Sequence, residues 1–121
     1  MAMALEQFDA YCASLPGTHM VVQWGGAHVW KVGDKIFAVA SLWGKGVKEF
    51  RIGFKASDLA FEMLTEQSDI EPSPNLGRYK WVQLQTPDAL PEADLKAYIE
   101  AAHAMGVQKL TKAKRRELGL T

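Results

Sequence analysis

Few side chains in this chain are typed and spaced for chemistry. Cys12 is the only thiol, and it falls on an apolar stripe with Leu5, Phe8 and Leu15. A free cysteine there behaves as a small hydrophobe, whereas a reactive one needs an electropositive, partly exposed setting. His19, His28 and His103 lie in different elements without metal-ligand spacing, and the first helix adds only Glu6 and Asp9. No metal site and no cofactor are therefore expected. Gly44-Lys45-Gly46 lacks the length and the trailing hydroxyl of a phosphate loop, and reads as an exposed hairpin tip. No Gly-x-Ser-x-Gly elbow or dinucleotide fingerprint is present, so no enzyme is indicated.

The basic residues are more suggestive. Fourteen cations balance fourteen acids, which argues against nucleic-acid binding by bulk charge. The distribution is uneven. Lys31, Lys35, Lys45, Lys48, Arg51 and Lys55 fall between residues 28 and 56 against only Asp34 and Glu49. Asp58, Glu62, Glu66, Asp69 and Glu71 follow with no base among them, and Lys109, Lys112, Lys114, Arg115 and Arg116 close the chain against Glu117.

A hairpin tip at Lys45, with Lys48, Arg51 and Lys55 after it, can approach a phosphate backbone. Trp81, Gln83 and Gln85 alternate on the outward side of a late strand, with Arg78 and Lys80 just before them. An aromatic among amides and cations is a plausible stacking platform for a single strand. With Lys31 and the tail Lys112, Lys114, Arg115 and Arg116, these are the candidate nucleic-acid contacts. No known reader motif accompanies them. The competing reading is a protein-partner or small-ligand module, since Trp24, Trp30, Trp43 and Trp81 all sit near turns or strand ends.

The elements that would position these groups are legible from periodicity. A length of 121 residues with 48% apolar residues fits one domain with a real core, over residues 1–121, and excludes a disordered chain. A single cysteine suits a reducing compartment. The acidic, amphipathic start is no signal peptide, and no run approaches the roughly 20 apolar residues of a membrane span. A cytoplasmic monomer without membrane contact is expected.

Leu5 to Leu15 reads as a helix ended by Pro16-Gly17, and His19 to Trp24 as a strand. Ala27–Val32 and Lys35–Ser41 flank Gly33-Asp34 as a hairpin. In Glu49–Phe54, Phe50, Ile52 and Phe54 face inward. Ser57 caps a helix whose buried stripe is Leu59, Ala60, Met63 and Leu64. Residues 68–77 carry Pro72, Pro74 and Gly77 and read as a loop. Tyr79–Gln85 is the fifth strand, with Val82 and Leu84 inward. Pro91 opens a third helix with Leu95 and Ile99 in its stripe. Gly106 interrupts it, leaving a last, basic helix at 107–118.

The order is α-β-β-β-β-α-β-α-α: an α+β domain with an antiparallel sheet of about five strands and helices packed on one face. Leu15-Pro16-Gly17, the run Val29-Trp30-Lys31-Val32-Gly33-Asp34-Lys35-Ile36-Phe37-Ala38, Gly53-Phe54-Lys55-Ala56, Tyr79-Lys80-Trp81-Val82 and Leu90-Pro91 occur in that order. Together they resemble the MmcQ/YjbR family, over about residues 5–110. The resemblance implies a fold like that of CyaY, the bacterial frataxin. It also implies a DNA-binding role, suggested by a double-winged shape, and carries no catalytic residues. The Gly-Lys-Gly loop and the basic tail depart from the family pattern. So does the first helix from the densely acidic one that frataxins use for iron.

Overall fold

In a computed structural model, described over residues 3–120, the chain forms α1 (Leu5–Ser14), β1 (Thr18–Gln23), β2 (Ala27–Val32), β3 (Lys35–Ser41) and β4 (Arg51–Lys55). Then come α2 (Asp58–Thr65), β5 (Ile70–Pro72), a 3-10 turn (Gly77–Tyr79), β6 (Trp81–Leu84), α3 (Glu92–Gln108) and α4 (Lys112–Glu117). All neighbouring strands are antiparallel, in the order β1-β2-β3-β4-β6-β5. The α+β class and the helices on one face are as the sequence implies.

The β2–β3 hairpin turns through two residues because Gly33 takes a φ of 59°, which a side chain disfavours. The β2–β3 register shifts between Trp30 and Lys31. That bulge lets both Phe37 and Ala38 join the same buried layer. On this face Trp30, Val32, Ala40, Ile52, Phe54, Val82 and Leu84 meet Phe8 and Cys12 of α1, Leu64 of α2, and Leu95, Ile99 and Ala102 of α3. Phe54 stacks on Tyr98, with ring centroids 5.5 Å apart. Such burial is the main favourable term in folding.

Four local expectations are corrected. Residues 68–77 are not all loop: Ile70 pairs with Leu84 and Pro72 with Val82, which adds a short edge strand to the sheet. Proline is tolerated there since β5 is an edge strand with one side free of ladder hydrogen bonds. Phe50 precedes β4 and lies exposed beside His28, with ring centroids 5.3 Å apart, instead of entering the core.

Leu59 and Met63 are 67% and 54% exposed, and α2 buries Leu64, with Ala60 and Phe61 half-buried. Apolar residues almost encircle this short helix, so either stripe fits its sequence; packing against β5 and β6 selects the second. Finally, Gly106 does not interrupt α3, which runs on to Gln108, and the last helix is confined to Lys112–Glu117. A Cβ on Gly106 would lie 2.8 Å from Val32 Cγ1. The glycine is there to let helix and sheet approach.

Candidate nucleic-acid interface

Among the described residues, the sheet face opposite the helices is covered by loops and the 3-10 turn. Alternation along β2, β3 and β6 directs Ala27, Val29, Val39 and Trp81 to it, and the loop after β3 folds Trp43 over them. Gln83 anchors that loop, its Nε2 donating to the Trp43 carbonyl at 3.1 Å. Leu76 and Ile36 complete this smaller cluster. Trp24 adopts a φ of 56°, and its ring, 48% exposed, lies 5.8 Å from that of Trp43.

Two expectations for this face therefore change. Trp81 is only 5% exposed and Gln83 2%, so neither forms an open stacking platform. Local alternation marks them as facing away from the helices, and says nothing of a loop that folds back over them. The exposed rings here are Trp24 and, on the 3-10 turn, Tyr79.

The candidate cations divide between the two ends of the sheet. At one end Lys45 and Lys48 stand exposed on the loop before β4, with Glu49 beside them, and Arg51 donates a hydrogen bond to Gln85 Oε1. Lys48 and Arg51 also line a cavity of about 270 Å³ with Phe50 and Leu5.

At the other end, near the β2–β3 turn, are Lys31, Lys55, Arg78 and Lys80. Lys55 donates to the Tyr79 carbonyl. Burial, then the charges of Lys109 and Lys80 against that of Asp58, lowers its pKa. Arg78 lies over the Tyr79 ring at 4.9 Å, whereas Lys80, at a φ of 67°, turns away to cover Phe61 at 5.0 Å. The tail helix is tied to this same end, because Leu118 reaches Gly33 and Leu120 reaches Gly17. Lys112 and Arg116 are exposed there, and Lys114 pairs with Glu117 at 3.4 Å. Arg115 is half-buried and its Nε finds no partner among the described residues.

One cluster was missed by spacing. Asp9 of α1 accepts from Trp30 Nε1 through Oδ1, and its Oδ2 lies 2.8 Å from His28 Nδ1. His28 and Trp30 are two apart on one strand, so they share a face; that was the only available signal. His103 instead meets the Pro16 carbonyl at 2.8 Å and packs edge-on against Phe37. Among the described residues no group of three His, Cys, Asp or Glu side chains could hold a metal ion. Nor is any helix among them long and apolar enough to cross a membrane.

The YjbR family model matches residues 13–105, which take in the whole sheet and most of α3. The chain belongs to the YjbR family. Its fold is similar to that of the crystal structure of Deinococcus radiodurans protein DR2400, which carries the domain DUF419. That likeness has a TM-score of 0.83 at 22% identity and covers 99% of this chain and 91% of the other. No curated protein is significantly similar to this one. YjbR membership and the shared architecture establish the fold. They assign no activity to the face described above.

Proposed function

We propose that this YjbR-family protein is a non-catalytic, cytoplasmic binding module that holds single-stranded nucleic acid weakly and without reading sequence. The observation that carries this reading is the presence of an exposed aromatic and of cations at each end of the helix-free face, with Arg78 directly over Tyr79 at one of them. Trp24 on Trp43 stands at the same end as Lys45; Tyr79 with Arg78 stands at the same end as Lys31 and Lys55. The ends are about 20 Å apart, from the length of β3 at ~3.3 Å per residue. Bases stack on exposed rings and phosphates meet cations, which gives affinity independent of sequence. The free thiol of Cys12 fits the reducing cytoplasm.

The test is a titration with oligo-dT longer than the roughly 4–16 nucleotides such faces cover, read by tryptophan fluorescence. A dissociation constant of about 10⁻⁴ to 10⁻⁶ M is expected near physiological salt, as for other non-specific binders. With about four phosphate contacts, log K falls with log salt at a slope near −3. Trp24→Ala and Lys45→Glu should each weaken binding at least fivefold, the lower limit of one lost stacking contact. Absence of binding at about 20 mM salt, where charges are screened over more than 20 Å, would refute the reading.

A further inference from the structure

Beyond strand binding, the β2–β3 end of the sheet holds a cleft that shares Lys55 and Tyr79 with the proposed strand path but reaches inward past them to Trp81 and α3. It opens where the start of β3 separates from the end of β4, and the C-terminal turn of α3 closes one side of it. Its volume is about 280 Å³. Trp81, Ile36 and Met105 form apolar walls, and Lys35, Lys55 and Lys109 bring three cations from three different elements to the rim. One carboxylate, Asp34, also lines it, but Asp34 is largely exposed and lies 3.8 Å from the Lys35 ammonium.

The chemistry of this lining is specific in kind. Apolar walls favour a flat hydrocarbon surface, while convergent ammonium groups disfavour one another and favour an anion. Burial and the charges of Lys109 and Lys80, against that of Asp58, disfavour the charge on Lys55, so an anion beside it would offset them. Trp81 is accounted for as well: buried against Val29 and Val39 on one side, it offers its remaining edge to the cleft instead of open solvent.

We propose that this cleft binds a small organic anion, one carboxylate or phosphate carried on a flat apolar body of about ten heavy atoms, scaling from benzene in a cavity of ~150 Å³. The family assignment does not supply this site, and it does not depend on nucleic-acid binding.

Phenyl phosphate and benzoate are the probes, with inorganic phosphate and benzyl alcohol as their separated halves. Binding is followed by the NMR shift of the Trp81 indole. Phenyl phosphate or benzoate should bind on the order of 1 mM or tighter, the level open to ligands of this size. The better of the two identifies the anionic group. Each half should bind at least roughly tenfold more weakly, since it meets only one part of the lining.

Lys109→Glu, on an exposed side chain that the fold does not need, should weaken binding by roughly tenfold or more through charge reversal. Lys45→Glu, at the far end of the sheet, should leave it unchanged while weakening oligo-dT. Three results would overturn the proposal: no shift at about 10 mM probe, inorganic phosphate binding as well as phenyl phosphate, or Lys109→Glu binding like the wild type.

Discussion

Removing the carboxylate of Asp9 tests how the first helix is held to the sheet. Its two oxygens accept from the Trp30 indole and face His28 Nδ1, both at 2.8 Å, and nothing else of α1 hydrogen-bonds to β2 through a side chain among the described contacts. The two partners differ in what they lose. The His28 ring is about one-fifth exposed and can recover a water in place of the carboxylate. Trp30 is buried, so Asp9→Ala leaves its N–H without a partner, at about 1–3 kcal/mol for an unsatisfied donor. Adding about 1 kcal/mol for the second hydrogen bond, Asp9→Ala should cost about 2–4 kcal/mol.

Asp9→Asn keeps one oxygen for the indole and loses only the charge, so about 1 kcal/mol is expected. Trp30→Phe deletes the donor together with its need for a partner. In a double-mutant cycle, Asp9→Ala and Trp30→Phe should therefore couple by about 1–2 kcal/mol. Urea unfolding with unchanged m-value reads each difference as a shift in midpoint. Glu6→Ala, one turn earlier and exposed, should stay within about 0.5 kcal/mol as a surface control. A loss below about 0.5 kcal/mol for Asp9→Ala, or a coupling below that additivity limit, would refute the reasoning.

Two further outcomes follow from the core. Gly106→Ala ordinarily strengthens a helix by about 1 kcal/mol, but here the new methyl meets buried Val32; overpacking of about 1–3 kcal/mol should win, and a raised melting temperature would contradict the close approach. Cys12 should resist thiol reagents until the chain unfolds, because burial, then the charge of Asp9, pushes its pKa far up. The folded thiol stays protonated where the unfolded one ionises, so its contribution is complete below about pH 8.5 and is lost above it; by pH 10 the loss is about 2 kcal/mol. Cys12→Ala should flatten the fall in urea midpoint between those pH values by that amount, and an unchanged slope would show the thiol to be unburied.

Where local chemistry dictates structure, the sequence was sufficient. The Gly33 turn, the alternation that buries Ile52, Phe54, Val82 and Leu84, and the stripe of Leu95 and Ile99 all stand as their spacing implies. The departures arise where distant parts choose between locally equivalent options. Ala60 and Leu64 pack inward as expected, but nothing within α2 says that Phe61 joins them instead of Leu59 and Met63; the edge strand beside it does. That strand was itself hidden by Pro72, which only an edge position tolerates. The same holds at the candidate site. Trp81 and Gln83 lie on the expected face, but Trp43, some forty residues earlier, decides that they are covered. Asp9, His28 and Trp30 meet across two elements whose docking no periodicity encodes.

Charge placement joins the proposed strand path to the cleft. The chain is neutral, with Glu62, Glu66 and Glu71 exposed around α2 and β5, so a polyanion gains little from the molecule as a whole. At physiological salt fields decay over about 8 Å, less than the separation of the two cation groups, so each end attracts its own phosphate independently. A rigid sheet then makes the second contact intramolecular once the first has formed, and two weak ends act as one moderate site. On these two proposals, a small anion in the cleft would sit among Lys35, Lys55 and Lys109 and neutralise only the β2–β3 end. It should weaken a bound strand partially and leave the Lys45 end engaged. Charge reversal at both ends would release the strand altogether.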